Sequence, residues 1–488
     1  MSPRRELVAL AVVLVATASA AAKLRRAAPP PPAGVPGPAR TFGYVTSAAC
    51  VACHPSEHAS FRRTWHRTMT QVATPDTVLA PFERREGAVL APDGARIVLT
   101  TGAHREQAYW TAGDRPGELR IVPWVWLPRE RALVPRHDAF LFPPNEPLPD
   151  VRWGGSCIAC HAVAGEPRRD AAKDTWDTRA AELGVACEAC HGPGAEHASL
   201  YRDPVARYAR GRDPKIVQPK KLAPERANAV CGQCHAYAFP RDEAAWWQDG
   251  YARTFRPGDT LAASRALLRP DAMNGEEGAP VIDAPASAIF WPDGDVRVGG
   301  RELNGLVGSR CKAGCLDCHA MHAGDPAGQL APGFTCLGCH DTERARTHSR
   351  HGPEVLCVDC HMPKTSYALL EGVRSHRIAI PRAEHDDLKP SACDLCHLDR
   401  NDAYGVRAGI AGDAGVRALV ADALARFPAP RFAVPLLDAM KEDPYAAVRF
   451  IAARSRRRFG DIATPPLDPA LVRSLLAARD DRAITIAE

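Results

Sequence analysis

The chain has 488 residues, a hydrophobic fraction of 45%, a charged fraction of 24% and a formal net charge of +5. This composition excludes a disordered protein, and the length is sufficient for two or three globular domains. The 17 cysteines are an odd number, which excludes complete pairing in disulfides. The 44 prolines favour long irregular connections over regular secondary structure.

The N-terminus has the features of an export signal. Two arginines precede an apolar run from Leu7 to Ala16, and the small residues Ala-Ser-Ala at 18–20 form a cleavage pattern. We interpret residues 1–22 as a signal peptide and the proline-rich residues 23–40 as an extended linker. The alternative is an uncleaved membrane anchor, although the apolar run is shorter than the roughly 20 residues that span a bilayer. The sequence therefore predicts a periplasmic or otherwise exported protein, with membrane association only through an uncleaved N-terminal segment.

The spacing Cys-x-x-Cys-His occurs eight times and uses 16 of the 17 cysteines. In a helical turn, positions i, i+3 and i+4 share one face, so two thiols can attach to a haem while the imidazole binds its iron. Zinc ribbons and thioredoxin-like pairs also contain Cys-x-x-Cys, but neither requires the following histidine. We therefore predict eight covalently bound c-type haems as cofactors. Numbered 1 to 8, the motifs are Cys50-Cys53-His54, Cys157-Cys160-His161, Cys187-Cys190-His191, Cys231-Cys234-His235, Cys315-Cys318-His319, Cys336-Cys339-His340, Cys357-Cys360-His361 and Cys393-Cys396-His397.

Free histidines are sufficient to supply a second axial ligand to every iron, since 18 − 8 = 10 lie outside the motifs. Eight irons without other obvious ligands favour this role over the usual surface role of a lone histidine. We predict as distal ligands His66, His197, His322, His376 and one of the neighbours His348 and His351, both of which stay candidates. The roles of His58, His104, His137 and His385 are left open. Met69 and Met362 are alternative ligands, although methionine in a haem crevice usually serves packing.

The long interval between motifs 1 and 2 shows β-strand patterns. Residues 96–100 and 118–122 are strand-like, and turn signals occur at 92–94 and 115–117. We predict a β-rich insert, a small antiparallel sheet, within residues 55–156. The motif-bearing region as a whole, residues 41–400, is predicted to form an octahaem cytochrome c domain.

From residue 401 onward cysteine disappears and the apolar spacing becomes helical. Helical patterns extend over 406–427 and 432–459, and prolines at 428, 430 and 444 divide them into short helices. Residues 443–454 resemble the second half of a HEAT-type repeat, so we predict a HEAT-like helical region over 401–488 that leans on the haem domain. It serves either as a docking surface or as a structural cap. The arginine cluster at 454–458 is interpreted as a solvated or partner face, and no nucleic-acid partner is predicted.

Several motifs resemble those of multihaem cytochromes related to hydroxylamine oxidoreductase and ammonia-forming nitrite reductase. Residues 183–197, LGVACEACHGPGAEH, are similar to their CxxCHGPGxxH element, and this resemblance implies that His197 is a distal ligand. CLDCHAMH at 315–322, CVDCHMP at 357–363 and the opening run 44–69 resemble further elements, with His66 in the distal place. The run VRVGGRELNGL at 296–306 resembles a segment that precedes a haem motif in multihaem relatives of unknown function. The resemblance covers roughly residues 42 to 400 and implies a multihaem cytochrome c fold, mostly α-helical and irregular.

The resemblance does not identify a reaction. No motif ends in Lys, as the catalytic motif of the pentahaem nitrite reductases does, and no tyrosine is recognisable as the haem crosslink of hydroxylamine oxidoreductase. Tyr237 is better explained by packing, and Cys311, outside the motifs, by a buried free thiol. We therefore predict an electron-transfer protein without an assigned catalytic residue, which relays electrons from a redox protein or a quinol-linked donor to a terminal partner. The alternative is a reductase or oxidase of nitrite, hydroxylamine, tetrathionate or a similar compound at one five-coordinate haem.

Overall fold

The computed structural model describes residues 33–39, 41–208, 216–270, 286–322, 330–331, 333–381, 389–400, 404–480 and 482–486. The predicted signal peptide and most of the predicted linker lie outside these ranges. Gly37 and Pro38 pair in parallel with Arg179 and Ala180, and Ala39 is buried. Residues 37–39 therefore belong to the folded body, and the predicted extension of the linker to residue 40 is wrong. Within the described residues, no helix is long and apolar enough to cross a membrane.

The insert between motifs 1 and 2 contains a five-stranded antiparallel sheet. Its strands in spatial order are Thr70–Val72, Ile97–Thr101, Gln107–Ala112, Leu119–Leu127 and Ala132–Pro135. A hairpin of Glu83–Arg85 with Ala88–Leu90 lies beside it in sequence. Because side chains along a strand alternate between faces, the sheet packs against two apolar clusters, one with Tyr109 and one with Trp110. The prediction of a small antiparallel sheet here is confirmed, and all but the first residue of each strand-like run falls within its strands.

The motif-bearing region consists of short helices, small strand pairs and turns. Proline and the motif turns interrupt the chain too often for long elements to form. The α-helices are Pro55–Phe61, Trp65–Thr68, Arg136–Ala139, Ile158–His161, Cys187–His191, Ala195–Leu200, Pro204–Tyr208, Pro224–Gly232, Glu243–Asp249, Ala286–Ile289, Glu302–Val307, Cys315–Cys318, Glu343–Thr347 and Cys357–His361. The strand pairs are Ala162–Val163 with Glu182–Leu183, Arg169–Asp170 with Thr175–Trp176, Ala238–Pro240 with Arg265–Leu267, and Ser366–Ala368 with Glu371–Val373.

The C-terminal region is helical, as its spacing predicts. Its helices are Tyr404–Ala411, Ala414–Leu424, Pro430–Met440, Ala446–Arg456 and Pro469–Ala477. The side chain of Asp413 accepts a hydrogen bond from the amide of Val416 at 2.9 Å and so caps the second of them. Every residue of Ala414–Leu424 is buried, and its buried charged side chains are paired, Arg417 with Asp443 and Asp422 with Arg426.

The C-terminal helices share one hydrophobic core with the rest of the chain. This core contains Val125 of the sheet and Trp291 and Tyr367 of the motif-bearing region together with Leu419 and Ile451 of the helices. A buried ion pair of Arg297 with Asp413 at 2.6 Å and a backbone bridge of Leu141 with Ile486 cross the same boundary. The helical region therefore folds against the motif-bearing part and has no separate core.

Candidate haem-binding sites

Each Cys-x-x-Cys-His motif forms a single tight turn. In motifs 1, 4, 5, 6 and 8 the amide of the motif histidine donates to the carbonyl of the first cysteine at 2.7 to 2.9 Å. In motifs 2, 3 and 7 the histidine ends an α-helix: Ile158–His161, Cys187–His191 and Cys357–His361. A hydrogen bond from residue i+4 to residue i closes one helical turn and brings the cysteines and the imidazole to one side. All 17 cysteines are free thiols in the protein chain, so the residues for covalent attachment are present in each motif.

Six of the motif histidines face a second histidine. The pairs, with the distances between ring centres, are His54 with His197 (6.2 Å), His191 with His322 (6.2 Å), His235 with His66 (6.0 Å), His319 with His376 (6.3 Å), His361 with His348 (5.9 Å) and His397 with His351 (6.0 Å). An imidazole nitrogen binds a metal ion at about 2 Å, so two imidazoles on opposite sides of one ion have ring centres roughly 6 Å apart. The paired residues therefore fit an iron between them.

The second members of these pairs are the six free histidines that the sequence singled out. The structure brings His348 and His351 each to a different motif, although the sequence argument required only one of them. His66 belongs to the first module of the chain, residues 44–69 with motif 1, and faces motif 4. His322 lies next to motif 5 and faces motif 3. The second histidine therefore often comes from a distant part of the chain.

Two of the free histidines whose roles were left open, His104 and His137, lie away from the motif histidines. His104 stacks on Trp65 with ring centres 4.9 Å apart, and its Nε2 lies 2.9 Å from the hydroxyl of Thr68. The Nε2 of His137 lies 3.2 Å from the carbonyl oxygen of Pro143. His385 lies outside the described residues. His104 and His137 thus have other contacts in the described part of the chain.

Tyr237 and Cys311 have ordinary surroundings. Tyr237 packs against Phe239, with ring centres 5.6 Å apart, and the guanidinium of Arg301 lies 5.5 Å from its ring centre. Cys311 is partly exposed, so the prediction of a buried thiol is wrong. It lies in a loop at the surface, and its amide donates to the Ser309 hydroxyl at 3.0 Å.

Hydrogen bonds orient several motif imidazoles for metal binding. The Nδ1 atoms of His191 and His361 lie 2.7 and 2.8 Å from the carbonyl oxygens of Val217 and Ala379. A carbonyl oxygen only accepts, so Nδ1 carries the proton and donates it, and Nε2 keeps its lone pair for a metal. The same role at His235 is taken by a carboxylate, since Glu302 Oε2 lies 2.7 Å from its Nδ1.

Burial favours the neutral imidazoles that can bind iron. It lowers the pKa of His66 to about 4, with further lowering from His235 and His319, and it lowers the pKa of His376. At neutral pH these two rings are therefore uncharged. Burial raises the pKa of Glu302, but the hydrogen bond with His235 outweighs this effect and lowers it to about 2. Glu302 is therefore an anion.

Two motif histidines, His161 and His340, have no facing histidine among the described residues. His161 Nδ1 lies 3.3 Å from the hydroxyl of Thr70, and the carbonyl of Met69 is also within hydrogen-bonding reach. Burial lowers the pKa of His161 to about 4, the Met69 carbonyl opposes this shift, and the charge of Arg301 adds to it. The imidazole of motif 2 is thus neutral and oriented in the same way as its counterparts.

The attachment cysteines of different motifs contact one another. The Sγ atoms of Cys160 and Cys234 each lie 3.9 Å from the other residue's carbonyl oxygen. The thiols of Cys50 and Cys187, of Cys231 and Cys315, and of Cys336 and Cys357 also lie close enough to shift the pKa of one another. The neighbouring motif pairs are therefore 1 with 3, 2 with 4, 4 with 5, and 6 with 7.

Electrostatic proximity connects these pairs into one series. The charge of one thiol raises the pKa of a thiol in the neighbouring motif in three cases: Cys190 of motif 3 with Cys231 of motif 4, Cys336 of motif 6 with Cys318 of motif 5, and Cys393 of motif 8 with Cys360 of motif 7. The resulting spatial order is 1–3–4–5–6–7–8, with motif 2 as a side branch at motif 4. This order does not follow the sequence and could not be read from the spacing of the motifs.

A family model described as cytochrome c554 and c-prime matches residues 145–192. The matched segment contains motifs 2 and 3, so this likeness supports c-type haem attachment there. The chain is similar to the outer cell wall cytochrome OcwA, with 17% identity, 85% of this chain and 99% of that chain covered, and a TM-score of 0.48. It is also similar to an undecahaem cytochrome from the S-layer of Carboxydothermus ferrireducens, with 18% identity, 88% and 70% covered, and a TM-score of 0.40. No curated protein matches the chain significantly in sequence.

Proposed function

We propose that this chain is an exported octahaem c-type cytochrome that relays electrons between redox partners. The six facing histidine pairs are the observation that carries the proposal. An iron with two axial imidazoles has no free position for a substrate, so it exchanges electrons and does not bind a reactant. Six such sites in one chain are more than a single catalytic centre needs, and they favour conduction.

The contacts between attachment cysteines support a continuous route. A relay requires neighbouring haems, and in the order 1–3–4–5–6–7–8 every motif between the two ends has a neighbour on both sides. Cys53 of motif 1 is exposed at one end of the series, and Cys339, Cys357, Cys393 and Cys396 of motifs 6 to 8 are exposed toward the other. Donor and acceptor can therefore approach opposite ends of the route.

The compartment and the partners follow from the same reasoning. The N-terminal residues 1–22 favour export, and a protein with haem sites in series takes electrons from a soluble redox protein or a quinol-linked donor. The helices after residue 401 pack on the motif-bearing part and offer a surface for docking or a cap. Haem propionates offset the formal charge of +5, so the basic excess does not favour a nucleic-acid partner.

The route is tested by removing single haems. A photoreductant attached to Glu354→Cys, in a Cys311→Ser background, injects electrons at the end of the series that contains motifs 7 and 8. Glu354 is exposed and lies between His351, which faces motif 8, and Cys357 of motif 7. We expect the double variant Cys315→Ala/Cys318→Ala to block their arrival at motif 1. The matched variant Cys157→Ala/Cys160→Ala removes the branch and should leave arrival unchanged. Equal effects of the two variants would contradict the proposed route.

A reductase or oxidase at motif 2 is the second candidate function. Its favouring observation is that His161 has no facing histidine among the described residues, so no second histidine is assigned to an iron at motif 2. The charges of Arg301 and of Arg265, which is 4% exposed, lower the pKa of Cys160 in motif 2. Neither arginine forms an ion pair with a carboxylate in the described part of the chain. A buried guanidinium attracts anions, so nitrite or tetrathionate is a suitable substrate class and hydroxylamine a neutral alternative.

This second candidate is tested by adding nitrite, hydroxylamine and tetrathionate to the holoprotein. Turnover that disappears in Cys157→Ala/Cys160→Ala, while the other haems remain reducible, would assign it to motif 2. Turnover that survives in this variant would exclude motif 2 as its site.

A further inference from the structure

The run VRVGGRELNGL, residues 296–306, holds the turn of motif 4 through three successive residues. Glu302 contacts His235 Nδ1 at 2.7 Å, and the amide of Leu303 donates to the His235 carbonyl at 2.9 Å. Asn304 Oδ1 accepts from the amide of Tyr237 at 2.7 Å. These bonds fix both the backbone and the imidazole of motif 4.

The same run also contacts the histidine that faces motif 5. A Cβ atom at Gly305 would lie 3.0 Å from the Arg377 amide nitrogen and 3.2 Å from the His376 carbonyl carbon. Glycine at this position therefore allows the backbone of His376 to approach closely. Because His376 faces His319, the run joins the ligand sets of two neighbouring motifs.

The hydrogen bond at His235 differs in kind from those at motifs 3 and 7. His191 and His361 donate to neutral backbone carbonyls, whereas His235 donates to a carboxylate. The other carboxylate oxygen, Oε1, accepts from the amide of Gly300 at 3.0 Å, so the group is held in place. A charged acceptor forms the stronger bond and makes the imidazole a better electron donor to its metal.

We propose that Glu302 is a positioning residue that makes the haem at motif 4 more reducing than those at motifs 3 and 7. A more basic axial imidazole stabilises the ferric state relative to the ferrous state and so lowers the reduction potential. This inference rests on the proposed function, because it requires a haem on Cys231 and Cys234 with His235 as its ligand. Motif 4 is the junction of the series with its branch. Electrons that reach a haem of low potential there pass on to the haems at motifs 3, 5 and 2 and do not accumulate at motif 4.

The test is a redox titration of the holoprotein, followed by visible absorption and electron paramagnetic resonance, with Glu302→Gln. Glutamine keeps the size of the side chain and removes the charge. We expect one of the haem midpoint potentials to move to a more positive value while the haem content and the low-spin state stay unchanged. Glu302→Asp keeps the charge with a shorter reach and should give a smaller shift in the same direction.

The matched control is Glu225→Gln, which removes an exposed carboxylate from Pro224–Gly232, the helix that carries Cys231. It should leave all midpoint potentials in place. Equal shifts in the two glutamine variants, or no shift in Glu302→Gln, would overturn the role of Glu302. Absence of haem from the proteolytic peptide that contains Cys231 and Cys234 would instead contradict the proposed function, and this is read from the peptide mass of the unsubstituted protein.

Discussion

The ring centre of His66 lies 6.0 Å from that of His235, so a histidine of the first module faces the histidine of motif 4. The Nδ1 atom of His66 is buried without a hydrogen-bond partner within the described structure. Burial keeps this ring neutral, and no hydrogen bond from the described residues competes with iron for its Nδ1 atom. The pair therefore represents the arrangement on which the proposed relay depends.

Replacement of this residue gives the first prediction. In His66→Ala we expect one haem to change from low-spin to high-spin, because His235 would be its only remaining axial ligand. His104→Ala is the matched control, since His104 is a free histidine of the same part of the chain that stacks on Trp65. Electron paramagnetic resonance of the ferric proteins distinguishes the two. A high-spin signal in both variants, or in neither, would contradict the pairing.

External ligands should bind to few haems. We expect cyanide to bind to at most two ferric haems per chain, those of motifs 2 and 6, because only His161 and His340 lack a facing histidine in the described ranges. Cys157→Ala/Cys160→Ala should reduce the number bound by one. A spectrophotometric titration gives the stoichiometry, and binding to three or more haems in the unsubstituted protein would refute the six-pair assignment.

Removal of one partner from a buried ion pair should destabilise the C-terminal helices strongly. Arg417 Nε donates to Asp443 Oδ2 at 2.6 Å, and both side chains are almost fully buried. Asp443→Ala leaves the guanidinium unpaired and should lower the free energy of unfolding by about 3 to 5 kcal/mol. Lys441→Ala removes an exposed pair with Asp438 and should cost less than about 1 kcal/mol. Denaturant unfolding followed by circular dichroism compares them, and similar losses would be inconsistent with the packing described.

The N-terminal segment is tested by the mass of the exported protein. Cleavage after about residue 20 to 22 should yield a soluble chain that lacks the apolar run, because a small-x-small pattern follows it. A full-length mass in the membrane fraction would support the alternative of an uncleaved anchor.

The chemistry of the motifs was readable from the sequence because each one is a local unit of five residues. The β-sheet of the insert was readable for the same reason, since strand alternation and turn residues are local signals. The linker boundary was wrong because proline and glycine also occur at the edge of a small sheet, where Gly37 and Pro38 pair with Arg179 and Ala180. The HEAT-like character of the C-terminal helices stays a prediction.

The pairing of histidines was not readable, because the partners come from different modules. His66 and His235, or His191 and His322, meet only through tertiary packing, and the spatial order of the motifs departs from their order in the chain. Glu302 was missed for a related reason. The run 296–306 was noticed as a recurring segment, but its carboxylate gains a role only when the fold places it beside His235.

Electron paramagnetic resonance of the oxidised holoprotein, with the haem content determined in parallel as pyridine haemochrome, tests the assignment of the haems and their ligands. We expect eight haems per chain, of which at least six are low-spin with two axial histidines and at most two are high-spin. Fewer than eight haems, or three or more high-spin irons, would contradict this assignment.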